Sequence, residues 1–403
     1  MNLFLQELRK IWRPGVLAAL VALGAVYYYI RPAFYIEYFS NGLQARVDFE
    51  LALDWVERFG PTIDEAERAE IGHQLEETEA SFAAWAAADP EMAARGLTDY
   101  DSFETFHDTL YDNDTEYEAA KERGDLALID RVLYSGETNY FTVQELRQFL
   151  EAWDGESLPD PEEGPDERWA NSPRLAEKCR QRVRAMREDR TRRSILPPDV
   201  IFSTDEYVRY LAVWCVVSAI LLLSPTLVRD RLHRTRAMQW ASRRGRRILN
   251  TQFAAALVSG LLLTALNFAV YAVPFAFTGA LALRDCSLHS VLRQFLWFDW
   301  TYGQYLLALL GMIFLLTLGA SALTACLSQY SGNYVAMLLK AIPLIAALAV
   351  LGMLVMTNAF SFSNGVTRFL VLPGGEFLCA ALLAILGLGL CALACRRQRR
   401  REL

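Results

Sequence analysis

Residues 303–327 read GQYLLALLGMIFLLTLGASALTACL, an apolar run without a single Asp, Glu, Lys or Arg. A helix rises about 1.5 Å per residue, so about 20 apolar residues cross the hydrocarbon core of a bilayer. The run is long enough to do so. It therefore predicts a transmembrane helix, and similar runs elsewhere decide the fold class.

Five further apolar runs of spanning length occur along the chain, at residues 14–34, 207–228, 250–278, 334–357 and 374–395. Together the six runs predict an all-α membrane protein with six transmembrane helices. The long interval between the first and second runs predicts a large, mainly helical extracellular domain. Six crossings place both chain termini on the same side of the membrane.

The distribution of charge orients this topology. The formal net charge is −7, with acidic residues concentrated over residues 48–122. Basic residues precede the first run, fill the interval 229–247 and follow the last run. Because basic loops stay on the cytoplasmic side, we expect a multi-pass plasma-membrane protein with both termini cytoplasmic. A basic stretch over residues 174–193 falls outside in this topology, which is tolerable because the rule weakens in long loops.

The predicted organisation has five parts. Residues 1–13 form a cytoplasmic interfacial amphipathic helix and 14–35 the first transmembrane helix. The extracellular helical domain covers 36–205, and transmembrane helices 2–6 cover 206–395 with a cytoplasmic loop at 229–248. Residues 396–403 form a basic cytoplasmic tail. We expect the first segment to be retained, because Tyr27, Tyr28 and Tyr29 stand where signal-peptide cleavage needs small residues.

Helices are also predicted within the inserted domain, at residues 43–59, 63–88, 115–133, 142–153 and 173–193. Thr62 with Glu65, and Thr142 with Glu145, have the spacing of capping boxes, which predicts helix starts at those two places. Gly60-Pro61 and Asp89-Pro90 separate successive helices.

Residues for catalysis do not form a recognisable constellation. The four histidines lie far apart in the sequence, and no Gly-rich phosphate loop is present. Asp112, Asp114 and Glu116 alternate like calcium ligands, but Tyr117 stands where the calcium loop needs glycine and Arg123 where it needs glutamate. We therefore expect no catalytic residues, no metal, no cofactor and no enzymatic activity in this chain.

The seven cysteines do not predict a disulfide framework. Cys179 and Cys286 are the two that can meet outside the membrane. The others lie in or at the ends of apolar runs, where pairing requires contact between helices.

The interval after the second run carries the most specific pattern, DRLHRTRAMQWASRRGRR at residues 230–247. It resembles the cytoplasmic loop of permeases of the second type of ABC exporter. A gap-free comparison places Asp230 at that family's glutamate, Thr235 at its threonine and Ser242 at its serine. Gly245 and Arg246 fall on its closing Gly-Arg. The sequence departs from the family at three positions, having Arg234 for glycine, Arg243 for proline and Gln252 for lysine.

This resemblance implies that the loop holds a short coupling helix that docks on a separate ABC ATPase subunit. The implied partners are that ATPase, a second copy of the permease or a related permease, and membrane lipids; no nucleic acid is expected. Guanidinium groups suit docking, because they bind carboxylates in a defined orientation. The expected docking residues are Arg229, Asp230, Thr235, Ser242, Gly245, Arg246 and Arg247.

Two other interpretations stay open. The arginines alone serve as an orientation signal that also attracts anionic lipid headgroups. The chain as a whole also fits a membrane-anchored sensor or scaffold, whose extracellular domain binds a ligand or partner.

Polar and small residues within the apolar runs predict packing features. We expect Lys340 to reach toward the cytoplasmic interface, and Asn267 and Thr264 to bond across helices. Residues 361–376, with their Pro-Gly-Gly sequence, predict a broken approach to the last helix. Small residues in the fourth run favour close helix packing: Gly311, Gly319, Ala320 and Ser321.

Overall fold

Helices dominate the computed structural model, which describes residues 3–111, 114–134, 136, 138–154, 173–188, 194–233, 248–290 and 296–400. Within these ranges β-type pairing is limited to isolated bridges. The α-helices in chain order are α1 (Leu3–Ile11), α2 (Pro14–Ile30), α3 (Pro32–Glu37), α4 (Leu43–Phe59), α5 (Glu65–Ala88), α6 (Pro90–Ala94), α7 (Tyr100–Tyr111), α8 (Asp114–Arg123), α9 (Asp125–Tyr134), α10 (Tyr140–Asp154), α11 (Pro173–Glu188), α12 (Pro198–Leu223), α13 (Thr226–Leu232), α14 (Ile248–Ala276), α15 (Tyr302–Gln329), α16 (Tyr334–Met356), α17 (Gly365–Leu370) and α18 (Gly375–Arg400).

Five helical segments in the described residues are long and apolar enough to cross a membrane: α12 with α13, α14, α15, α16 and α18. Helices α1 and α2 meet at 46° and provide a sixth membrane-spanning segment if the bent pair is counted as one span. The bend lies before Pro14, because a proline at the first helical position begins a helix. The prediction of an all-α fold with apolar helices typical of a membrane protein is confirmed at this level.

Side-chain contacts give the relative directions of these helices. Tyr207 on α12 donates to the Tyr271 carbonyl on α14 across 2.8 Å, whereas Gln252 at the start of α14 bonds to Asp230 after the end of α12. Helices α12 and α14 are therefore antiparallel. Helices α15 and α18 are parallel, because a Cβ at Gly319 would meet Leu383 and Gln329 bonds to Gln398 across 3.0 Å.

Helix α12 is the centre of the bundle. In an apolar stretch of 18 residues within α12 and α13, 72% is buried inside the protein, whereas the corresponding share for α16 is 22%. The outer faces of the other long helices carry large exposed apolar side chains, which fit contact with lipid rather than with water. Examples are Val21, Val270, Leu307, Leu339 and Ile385.

The helices between α3 and α12 pack at one end of the bundle and around a core of their own. Trp55 on α4 and Phe149 on α10 join the main core that also contains α12 and α15. Phe82, Phe103 and Leu128 belong to a separate apolar cluster formed by α5 to α10. The predicted inserted segment thus buries apolar side chains both internally and against the bundle.

Helix starts in this segment differ from the sequence predictions. Asp64, not Thr62, caps α5: its carboxylate accepts hydrogen bonds from the backbone of Ala66 and Glu67, and the Glu67 side chain accepts from the Asp64 backbone. The predicted cap Thr142 lies inside α10, which begins at Tyr140. The N-cap of α5 is therefore the aspartate immediately before the helix and not the threonine two residues earlier.

One further helix prediction was wrong. The helix predicted over 115–133 is divided into α8 and α9 at Gly124, whose φ of 80° lies in the left-handed region that glycine adopts without a steric cost. Helix α7 was not predicted from the sequence. The predicted end of α11 at Arg193 lies outside the described residues, as does Asp112 of the calcium-like pattern.

Predictions about polar residues within the bundle had mixed outcomes. Asn267 donates to Ser218 on α12 across 3.1 Å, which confirms a bond between helices. Thr264 instead donates to the Gly260 carbonyl of its own helix. Lys340 donates to the Tyr330 carbonyl at 3.2 Å, near the start of α16. Close packing is confirmed at Gly319, whereas a Cβ at Gly311 would meet no atom within 4 Å.

Candidate partner-docking site

The Arg-rich loop begins on α13, a short helix that follows α12 after Ser224 and Pro225. Arg229 and Asp230 lie on α13 and are both buried. The remaining predicted docking residues lie outside the described residues: Thr235, Ser242, Gly245, Arg246 and Arg247. The structure therefore describes the stem of the loop, namely α13 and the first turns of α14.

Asp230 connects the two ends of the loop. Its Oδ2 accepts a hydrogen bond of 2.9 Å from Nε2 of Gln252, on the second turn of α14. The Lys10 ammonium lies 3.5 Å from the same oxygen and 2.7 Å from Oε1 of Glu7. Since hydrogen bonds to a charged group are stronger than neutral ones, this carboxylate fixes the spacing of the loop ends.

Arg229 attaches the loop to the N-terminal helix. Its Nη2 donates to the Lys10 carbonyl across 2.9 Å, at the C-terminal end of α1 where carbonyls lack partners within the helix. Trp12, just after α1, donates through Nε1 to Ser259 of α14 at 3.1 Å. Helix α1 is thus bound to both sides of the loop.

A second attachment joins the stem to the end of α15. The Leu227 amide donates to Ser328 Oγ at 3.1 Å, and that hydroxyl donates to the Ser224 carbonyl at 3.0 Å. Arg231 Nη1 donates to the Ser331 carbonyl at 2.8 Å. The stem is therefore held by α1 on one side and by α15 on the other.

Opposite charges lie close together in the stem. Lys10 and Arg229 face Glu7 and Asp230, and Glu7, Arg229 and Asp230 are buried. Removing one member of such a group is costly, because it leaves the others with uncompensated charge in a poorly solvated place. The arrangement favours a rigid base at the two described ends of the loop.

Sequence reasoning identified Arg229 and Asp230 but missed the contacts of Lys10 and Ser328. Lys10 was read as an orientation signal, and Ser328 carries no sequence signal. Gln252 had a sequence signal, because it occupies the position at which the exporter permeases have a lysine. In the structure its side chain donates to Asp230.

A second group of buried polar residues lies at the other end of the bundle. The Asp205 carboxylate accepts a hydrogen bond from the Tyr305 hydroxyl, and Thr204 bonds to Tyr302 at 2.6 Å. Glu376, fully buried, accepts from the Phe360 amide at 2.6 Å and from Thr367 at 2.7 Å. These contacts hold together α12, α15 and the broken approach to α18. Glu376 had a signal in the sequence, since an acidic residue within an apolar run is costly and needs partners.

Metal binding is not indicated in the part of the chain that the structure describes, where no three His, Cys, Asp or Glu residues are grouped to hold an ion. The site therefore consists of ion pairs and hydrogen bonds that position a loop.

The fold defines an all-helical protein with several apolar helices of membrane-spanning length. No protein-family model matches the chain, and no curated protein or solved structure matches it. The resemblance to exporter permeases thus depends on loop residues 229–248 and on the order of the helices, and it enters below as a proposal.

Proposed function

We propose that this chain is the membrane-spanning permease subunit of an ATP-driven ABC exporter in the plasma membrane. Six helices cross the membrane, the segment between the first and second forms an extracellular helical domain, and both termini are cytoplasmic. A separate ATPase subunit docks on loop 229–248, and a second copy or a related permease completes the transport path. ATP is hydrolysed by the partner.

The observation that carries the proposal is the hydrogen bond between Asp230 and Gln252. The gap-free comparison matched these positions to the family's glutamate and lysine without reference to structure. Their contact at 2.9 Å supports that register, because residues at the two ends of a loop meet only if the loop is closed by its flanking helices.

The attachment of the stem supports a mechanical role. A force on the loop reaches α12 and α14 directly, α15 through Ser328 and α1 through Arg229. Because packed helices move as rigid bodies, closure of a docked ATPase would rock these helices together. A loop that served only to orient the chain would not need such attachments.

Affinity purification in mild detergent tests the proposal. We expect an ATPase to copurify with the native chain, and we expect Arg246→Ala and Gly245→Ala to reduce its recovery at least tenfold. Arg397→Ala is the matched control, since it removes an arginine near the C-terminal end of α18 and should leave recovery unchanged.

The outcomes separate the interpretations. Loss with the loop variants alone supports both the exporter and the dock. Retention of the ATPase by every variant supports the exporter and places the dock elsewhere. Absence of any ATPase, under conditions in which a control transporter retains its own, favours the sensor or scaffold.

A further inference from the structure

Two thiols meet where α15 and α18 run side by side. Cys326 Sγ and Cys391 Sγ are 3.3 Å apart, and both side chains are buried. All seven cysteines lie in the described residues, and none of them forms a disulfide there. Sequence reasoning noted that cysteines in apolar runs pair only through helix contacts, and this contact brings one such pair together.

The surrounding packing holds the two helices in a fixed register. On one side of the thiols, a Cβ at Gly387 would lie 2.8 Å from the Ala322 Cβ, so the backbones are close. On the other side, Gln329 bonds to Gln398 at 3.0 Å. A disulfide has sulfurs about 2.05 Å apart, so its formation requires the two sulfurs to approach each other by about 1 Å.

The geometry points to Cys326 and Cys391 as a site of reversible disulfide formation that links α15 to α18. The oxidant is a small, apolar disulfide, since both thiols lie in an apolar cluster with Leu223 and Phe253. One cysteine attacks the reagent disulfide as a thiolate and releases one reagent thiol. The other cysteine then attacks the mixed disulfide at the protein sulfur and releases the second. Two protein thiols and one reagent disulfide thus become one protein disulfide and two reagent thiols, and the two protons of the protein thiols pass to the released reagent thiolates.

The link lies beside the loop stem. Cys326 is two residues before Ser328, whose hydroxyl binds the backbone of Ser224 and Leu227. Oxidation would therefore join α18 to the helix end that holds the stem. The inference does not depend on the proposed transport function, because it concerns the chain alone.

Treatment of the purified full-length chain with 4,4′-dithiodipyridine tests this assignment. After blocking with N-ethylmaleimide and proteolysis without reductant, mass spectrometry should find a peptide pair joined through Cys326 and Cys391, and dithiothreitol should abolish it. Cys326→Ser should leave a mixed disulfide on Cys391 instead. Cys379→Ser, on the same helix, should leave the link intact, and Cys326→Ala repeats the test without introducing a hydroxyl.

Thermal unfolding gives a second readout. The linked protein should have a higher midpoint than the reduced protein, because a cross-link restricts the unfolded chain. Three outcomes would overturn the assignment. Both cysteines could carry mixed disulfides without a link, either cysteine could fail to react in the folded protein, or the link could lower the unfolding midpoint.

Discussion

Gln252 donates a hydrogen bond of 2.9 Å to Asp230, although the two are 22 positions apart in the sequence and most of the residues between them belong to the Arg-rich loop. The bond closes the loop at its base, and Lys10 approaches the same carboxylate oxygen from the N-terminal helix. The N-terminal segment, the start of α14 and helix α13 are thereby joined through one side chain. Asp230 is thus the residue on which the geometry of the stem most depends.

Removal of the Asp230 carboxylate should destabilise the protein. We expect Asp230→Ala to lower the free energy of unfolding by about 1–3 kcal/mol, because Gln252 and Lys10 lose a charged partner. Unfolding in mixed micelles with increasing SDS, for the two single variants and the double variant with Gln252→Ala, measures the coupling. Residues in one network couple by about 0.5–3 kcal/mol, so additive effects would contradict the described contact.

Close approach of α15 and α18 can be tested at one glycine. A Cβ at Gly319 would lie 2.7 Å from Leu383 Cγ and 2.9 Å from its carbonyl carbon. Since a backbone atom cannot turn aside, Gly319→Ala should destabilise the fold by about 1–3 kcal/mol. Gly311→Ala, on the same helix with no atom within 4 Å, should be neutral or stabilising by up to about 1 kcal/mol. Equal effects in thermal melts would argue against this packing.

Hydropathy predicted the long helices well because it is a local property. The run at 334–357 became α16, Tyr334–Met356, and the run at 250–278 became α14, Ile248–Ala276. The second run was the exception: α12 begins at Pro198, before the apolar residues, because its first two turns pack on other helices rather than on lipid. Burial of Asp205 there, against Tyr305, is a tertiary effect that composition does not reveal.

The side-chain contacts within the candidate site were less predictable from the sequence. Arg229 and Asp230 were found through resemblance to a loop pattern, whereas the role of Lys10 depends on a contact between residues 220 positions apart. A basic residue before an apolar run has the same sequence signal whether it faces lipid headgroups or a carboxylate. Only the packing of α1 against the stem distinguishes the two.

The start of α5 offers a direct comparison between the expected and the observed cap. We expect Asp64→Ala to lower the free energy of unfolding by about 1 kcal/mol, because two backbone amides lose their acceptor. Thr62→Ala, at the position that the sequence favoured, should change it by less than about 0.5 kcal/mol, since its side chain is exposed. Chemical unfolding followed by circular dichroism measures both. A larger loss from the threonine variant would restore the original capping prediction.

Stability should depend on pH through Asp48, a buried carboxyl on α4. Burial raises its pKa well above the ordinary range, and the nearby carboxylates of Glu145 and Asp199 raise it further. Burial likewise raises the pKa of Glu145, although Gln44, which donates to it at 2.6 Å, opposes that shift. Because the folded protein holds these protons more tightly than the unfolded chain does, unfolding releases protons. The free energy of unfolding therefore falls as pH rises from the unfolded pKa of about 3.9 through the raised folded value.

Asp48→Asn isolates this effect. The variant cannot ionise, so we expect it to be more stable than the native chain at pH 7, with the difference shrinking as pH falls toward 4. Thermal unfolding between pH 4 and pH 8 measures both profiles. Asp130→Asn, which changes an exposed aspartate on α9, is the control and should follow the native curve. A loss of stability in the Asp48 variant at neutral pH would mean that the carboxylate is favourable when ionised, which would contradict its burial beside two other acidic groups.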